Sequence, residues 1–526
     1  MEKYEWLLCG GPGHDIHEEF GAFWSLYERV QPNHRVFEKT RAQLRCTVPV
    51  LVHGDEGRYV KKGNFMVCTI ECILGSDPKK RAASQVPRAC HTDPVLARYH
   101  VTEPESSSNE VGFLQTLKVA SAQQANDSGN EFLSKFLLFG CSSIVYRKNK
   151  GLLKQAFSLV SDDLAKLLQH GLTVGDKTFF FACLGVKGDL KFHHQMAGLT
   201  RSYFNVGTKS NHCICSLCLA GDDRWPFEDV RDAPVWAPTM HQERPWRDGE
   251  TPSLAEIPFE DSCPEAIFRL DLFHCWKCGL GRDLTGSTLV ILLQLGYFDF
   301  GPDDATNFPE RLDRSHSCFR LWAIANSKSP ALHSFSRSLL NYLNERCFAW
   351  FNVKGSDCQL LTQWLLFTVK SSQHTHGARH PRLESIIIET FESAIIVFEV
   401  LHSHALWLRR TCGQRVQHHL SVMLRGYKAL AVEAKRLDWV AFGLKPKLHA
   451  MDHLNKELLR QLQQRMPKLL NPMCYSCEAN ESVVGHVSRT ARRLSSRTVS
   501  HTVLDRICVR TKTVIKKFKK QRAQQR

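Results

Sequence analysis

The sequence predicts an α/β plus all-α protein: a mixed sheet with flanking helices, interrupted by a large helical insertion. Three observations carry that expectation. β-branched and apolar runs crowd the first 190 residues. Residues 284–468 instead repeat apolar side chains at three- and four-residue spacing. Three acidic residues stand where such elements should end or begin: Asp55 in Val-Leu-Val-His-Gly-Asp-Glu-Gly, Asp189 in Cys-Leu-Gly-Val-Lys-Gly-Asp, and Glu481 in Ala-Asn-Glu-Ser-Val-Val-Gly.

Residues 16–30 predict an amphipathic helix, with Phe20, Phe23, Trp24, Leu26 and Tyr27 forming a packing face. Residues 48–53 and 64–74 read as strands, and Gly54, Gly57 and Gly63 between them suggest a hairpin with a loose loop. Pro, Ser, His and charge make 75–110 a long excursion. A third strand is expected within 136–146. Leu152, Leu153, Phe157, Leu164, Leu167 and Leu168 give 151–171 a helical period. The almost continuous apolar run 178–186 predicts a strand buried on both faces. After Lys187-Gly188-Asp189, a helix of about 14 residues should start at Leu190. Hairpin, third strand, helix, then a strand ending in Asp is the element order of a ribonuclease-H-like mixed sheet with flanking helices.

Residues 219–265 contain Trp225, Trp236, Trp246 and seven Pro, so they read as irregular but packed. Helices are expected at 289–295, 339–351, 360–369, 383–408 and 417–439, and one or two basic helices over 481–520. The expected division is 1–47, an N-terminal helical segment; 48–218, the first part of the ribonuclease-H-like core; and 219–283, an irregular Trp-, Pro- and Cys-rich segment. An all-α insertion over 284–477 follows, and 478–526 supplies a core-completing basic helix and a basic tail.

At 526 residues the chain exceeds a single ordinary core. No apolar run approaches the roughly 18 residues of a membrane span. Met1-Glu-Lys-Tyr-Glu-Trp lacks a signal-peptide layout. A cytosolic or nuclear protein with no membrane partner is therefore expected. Twenty cysteines without a secretory signal suggest reduced thiols and a metal site rather than a disulfide framework. The net charge is +16, and 486–526, with thirteen Lys or Arg against Asp505 alone, contributes +12 of it. Such a terminus contacts phosphate backbones, directs nuclear import, or forms a solvated tail.

Phosphoryl transfer on nucleic acid needs two metals roughly 3.5–4 Å apart, one at the attacking oxygen and one at the leaving oxygen. Carboxylates on stiff elements suit Mg²⁺ or Mn²⁺. Asp55 would bridge both ions, Asp189 would share one, and Glu481 would complete the other. Each acid also has an ordinary reading. Asp55 fits a turn, Asp189 fits a helix N-cap, and Glu481, like Glu478, fits a first-turn acid facing the helix dipole.

With these acids in this order, the chain resembles the DDE transposases of cut-and-paste DNA elements, the broad group that includes the CACTA elements and their relatives. Further motifs carry the likeness: Asp271-Leu-Phe-His274 as an Asp-x-x-His motif, and the cluster Cys213, Cys215 and Cys218 after the second Asp. Lys445-Pro-Lys-Leu-His449 and His453 then precede Glu481-Ser-Val-Val-Gly-His-Val-Ser-Arg. The resemblance covers about residues 48–500 and implies a ribonuclease-H-like fold, a catalytic Asp55, Asp189 and Glu481, and a helical insertion between the last two. It implies DNA partners (element ends and target), a nuclear location, and a homodimer as a candidate assembly. No end-recognition module precedes Asp55, so a truncated or domesticated copy is expected.

A Cys-x-x-Cys knuckle supplies two of the four ligands zinc wants. Cys215 and Cys218, closed by Cys213 or by a distant pair, form the candidate; Cys275/Cys278 and Cys474/Cys477 have the same spacing, and buried free thiols are the alternative. His274 is expected either to orient a catalytic carboxylate or phosphate, or to be a core residue. Arg489, Arg492, Arg493 and Arg497 are expected to line one face toward DNA. The functional expectation is a two-metal DNA nuclease and strand-transferase. A catalytically inactive nucleic-acid-binding protein and a zinc-stabilised interaction protein are the alternatives.

Overall fold

Val48, Val50 and Val52 open the central strand β1 (Thr47–Val60), which pairs antiparallel with β2 (Gly63–Cys72). The structure, a computed structural model, describes residues 15–60, 63–74, 131–208, 213–301, 303–304 and 306–524. The excursion expected over 75–110 lies outside the described residues. Ahead of β1 runs α1 (Ile16–Val30), which spans the expected helix and is N-capped by Asp15. Its Trp24 indole donates to the Thr47 carbonyl at 2.8 Å, tying helix to strand.

Next come β3 (Lys135–Ser142), α2 (Ser143–Lys148), α3 (Leu152–Gln169), β4 (Leu172–Val174), β5 (Lys177–Lys187) and α4 (Leu190–Ala197). Among the described residues the sheet has six strands, five of them in the order β3-β2-β1-β5-β4. A short β6 (Phe268–Arg269) joins the far end of β5. β1 runs parallel to β5, β5 parallel to β6, and the remaining pairs are antiparallel.

Directly opposed residues share a face of the sheet. Leu51 and Glu71, His53 and Thr69, Asp55 and Val67, and Gly57 and Phe65 are so opposed. Beyond them Tyr59, Phe65 and Val67 pack on Val483, Val484 and Val487 of α11 (Glu478–Ala491), and on Val499, Val503 and Ile507 of α12 (Val499–Gln524). The other face buries Val50, Val52, Met66 and Cys68 against α1, α3 and α4.

In the chain, between the last strand of the sheet and α11, comes a group of helices: α5 (Gly281–Gln294), α6 (Phe308–Ala325), α7 (Gly355–His376), α8 (Pro381–Ser403), α9 (Arg410–Arg436) and α10 (Pro446–Gln463). It has its own core, built on residues such as Leu284, Phe319, Trp364, Phe391, Tyr427 and Met451. A two-stranded ribbon, β7 (Trp407–Arg409) with β8 (Lys468–Leu470), closes it. No helix among the described residues is long and apolar enough to cross a membrane.

Four expectations need correction. Asp55 does not end a strand: β1 continues through it to Val60, so the loose loop is a long, regular hairpin. The glycines there serve close packing, because a Cβ on Gly54 would overlap Phe192 and one on Gly57 would overlap Ser488. The helix after Asp189 is eight residues long, stopped by Gly198 at φ 55°. Residues 339–351 are not helical; Leu340, Tyr342, Ala349 and Phe351 are buried while Leu343 and Phe348 are exposed, and the chain is strapped to α5 by Phe351 N–H donating to the Arg282 carbonyl at 3.1 Å. Finally, α6 was not expected, although its signal is present: Asn307 caps it by accepting from Glu310 N–H, with Pro309 in the first turn.

Candidate functional site

Asp55, Asp189 and Glu481 interact with one another where β5 ends beside the middle of β1. Asp55 points from β1 toward α11, Asp189 follows β5, and Glu481 sits in the first turn of α11. Asp189 is also the N-cap of α4, accepting from Phe192 N–H at 2.6 Å, so its ordinary role and its place in the cluster coexist. Burial pushes the Asp55 carboxyl up to about 7, and repulsion from Glu481 and then Asp189 adds to the shift. Burial likewise raises Glu481, whose carboxyl is in hydrogen-bonding contact with that of Asp55. Oε1 of Glu481 is buried and accepts no hydrogen bond.

His274 completes the group. Its Nδ1 lies 2.5 Å from Oδ2 of Asp271, and its Nε2 lies 3.5 Å from Oε1 of Glu481. Asp271 is fully buried and also accepts from the backbone N–H groups of Phe273 and Cys477, each at 2.9 Å. Although burial opposes it, the Asp271 contact raises His274 to about 9, helped by Glu481 and Asp55. His274 stands at the start of a π-helical stretch, Phe273–Leu280, which leads into α5.

Beneath the acids is a second charged group. Glu71 on β2 ion-pairs with Lys135 of β3 at 3.1 Å and with Lys187 of β5, all three nearly solvent-free. Lys187 also donates to the Ser476 carbonyl at 3.1 Å, and Asn480, next to Glu481, donates to Glu71 at 3.3 Å. The network fixes the start of α11 against three strands. Sequence reading missed it, and the signal available was a Glu and two Lys inside otherwise apolar strands.

The cysteine site is closed by a distant pair. Sγ of Cys215 and Cys218 and ring nitrogens of His449 and His453 all lie within 4.8 Å of one another. Cys218 Sγ is 3.2 Å from His449 Nε2 and 3.4 Å from His453 Nε2; Cys215 Sγ is 3.3 Å from His453 Nε2. Ligands at zinc's bond lengths form a tetrahedron with edges of roughly 3.3–3.8 Å, so this set can hold a metal ion of zinc's type. Burial opposes ionisation of Cys215, yet the hydrogen bond from Cys218 and the two imidazoles hold its thiol well below the usual range. His449 and His453 share one face of α10 at a spacing of four. Trp236 packs its ring 4.5 Å from one and 4.6 Å from the other, which explains why that irregular segment is ordered. Cys213 is not among the ligand atoms.

The four arginines do not share a helical face. α11 stops at Ala491, leaving Arg489 on its last turn and Arg492, Arg493 and Arg497 on the connection to α12. All are exposed, but Arg492 donates to the Arg58 carbonyl at 3.0 and 2.8 Å and so braces the end of β1.

No protein-family model and no curated protein matches the chain. Function therefore rests on the site alone.

Proposed function

We propose that this chain is a transposase-like DNA nuclease and strand-transferase with a ribonuclease-H-like core. The observation that carries the reading is that Asp55 from within β1, Asp189 after β5 and Glu481 from α11, far apart along the chain, interact with one another as half-buried acids. Further support comes from the strand order, with a β1-β2-β3 meander and β5 parallel to β1. The donor set fits a hard divalent cation: oxygen ligands only, one carboxyl forced toward protonation, and a Glu481 oxygen that accepts no hydrogen bond and has only the His274 ring, 3.5 Å away, as an ion-pair partner.

Mg²⁺ or Mn²⁺ held there would activate the attacking oxygen and stabilise the leaving one. The residues do the positioning. Asp55, which interacts with both other acids, would hold the metal together with Asp189 and Glu481. His274, anchored by Asp271, orients Glu481. The nucleophile would be water in strand cleavage and a DNA 3′-hydroxyl in strand transfer. The exposed basic residues of α12 and the arginines before it suit a DNA backbone, and their density suits nuclear import.

The test is divalent-metal-dependent nicking of DNA by purified protein. Loss of nicking by at least about 100-fold in Asp55→Asn and in Asp189→Asn is expected; nicking that survives both substitutions refutes the reading. A nucleic-acid-binding protein without catalysis is the second reading, favoured by the basic α12, and predicts salt-dependent binding with no nicking at all.

A further inference from the structure

We propose that the cleft between α2, α3, α4 and the 250–253 turn binds a single nucleic-acid strand as it leaves the carboxylate centre. This rests on the proposed function and adds to it a binding site for the substrate strand. The cleft has a volume of about 530 Å³ and is lined by Glu56, Tyr146, Arg147, Lys150, Lys154 and Met196 among others. That is within the roughly 300–1,000 Å³ of small-ligand sites, room for a nucleotide or two but not for a duplex.

Its charge is unbalanced. Arg147, Lys150 and Lys154 are exposed on the rim, and none ion-pairs with a described residue. Three cations from the end of α2, the connection after it and the start of α3 line one cleft and repel one another, a cost that an anion there lowers. The acid inside the cleft is already occupied: Glu56 accepts from Lys191 at 2.7 Å, from Asn64 at 3.0 Å, and from the Tyr146 hydroxyl. Glu250 is exposed at the opposite wall. Unspent positive charge over a partly apolar floor of Leu153 and Phe157 suits a phosphate with its base turned inward.

Position supplies the link to chemistry. Glu56 follows Asp55 on β1, and side chains alternate along a strand, so one faces the cleft and the other faces α11. α4 joins the two places: Asp189 caps its start, while Gln195 and Met196 line the cleft. Six residues of helix separate the cap from Gln195, about 9 Å, a step of one or two nucleotides. The cleft and the acids thus lie on opposite faces of β1, and a strand with its scissile phosphate at Asp189 would round the end of β5 along α4 to reach the cations.

The experiment compares full-length protein with the triple variant Arg147→Gln, Lys150→Gln, Lys154→Gln, both carrying Asp55→Asn so that binding is read without cleavage. The probes are a labelled single-stranded DNA of about 16 nucleotides and the corresponding duplex, followed by fluorescence anisotropy across a salt series. The expected result is a loss of single-strand affinity of about tenfold or more, with the slope of log K against log salt falling by about 2. Duplex affinity should change less than about threefold. Unchanged single-strand affinity and slope, or an equal loss on duplex, overturns the proposal. Thermal melting confirms that the triple variant is folded, as expected for three exposed side chains. The two claims separate cleanly. Wild type that nicks DNA, with a triple variant that binds like its parent, refutes the cleft alone. A cleft-dependent loss in a protein that never nicks refutes the carboxylate reading alone.

Discussion

His274 Nε2 lies 3.5 Å from Oε1 of Glu481, and the imidazole's other nitrogen is held by a buried Asp271. One histidine thereby couples a fixed anion to the acid that comes last in the sequence. Replacing it should misalign Glu481 rather than remove a ligand. His274→Ala is expected to lower metal-dependent nicking by about 10–100-fold, less than Asp55→Asn, and to raise the Mg²⁺ concentration needed for half-maximal rate. An equal loss in both variants, with no change in metal requirement, would count against a positioning role.

Crowded carboxyls also make the metal-free protein sensitive to pH. The folded state raises Asp55 from its usual 3.8 to about 7, through burial first and then Glu481 and Asp189. Between those values the folded chain binds more protons than the unfolded chain, so stability falls as pH rises. Thermal melting of metal-free protein should show Tm dropping from about pH 4 to about pH 7, and Asp55→Asn should flatten that limb. Added Mg²⁺ should raise Tm more at pH 7.5 than at pH 5, because protons compete for the same oxygens.

Glu71 behaves in the opposite sense. Burial alone would raise it, but Lys135 and Lys187 pull it down to about 2. Its contribution is complete above its ordinary value of 4.5 and is lost as pH falls toward 2. Glu71→Gln leaves two buried ammonium groups without their counter-charge and should cost about 3–5 kcal/mol at neutral pH. Urea unfolding at neutral and acidic pH checks both statements: the variant should be weaker at pH 7, and its deficit should shrink on acidification.

The thiol–imidazole cluster should carry stoichiometric zinc in protein purified under reducing conditions. Cys218→Ser or His449→Ala should lower the metal content measured by elemental analysis and lower Tm by on the order of 10 °C. Cys213→Ser should change neither, since that thiol is outside the cluster.

Asp55, Asp189 and Glu481 stand out in the sequence because acids adjoining apolar strands or opening a basic helix are conspicuous, and His274 stands out through the Asp-x-x-His motif; their interaction with one another is what the structure adds. What could not be read was where the neighbours come from. Gly54 and Gly57 look like loop residues in a one-dimensional pattern; only the approach of Phe192 and Ser488 reveals them as strand positions. His449 and His453 announce a ligand pair by their spacing, but nothing local ties them to Cys215 and Cys218. The network of Glu71, Lys135 and Lys187 is invisible for a similar reason, since its members lie on three strands. Residues 339–351 have helix-compatible spacing yet fold as a strap, because contact with α5 outweighs local preference.

His449 follows Cys218 by 231 positions of chain. A ribosome adding about 5–20 residues per second completes the histidines roughly 10–50 s after the thiols. Throughout that interval the nascent Cys-x-x-Cys pair lacks its imidazole partners, and uncapped thiolates are the ones that oxidise. The four-ligand site therefore cannot be complete until α10 has been made.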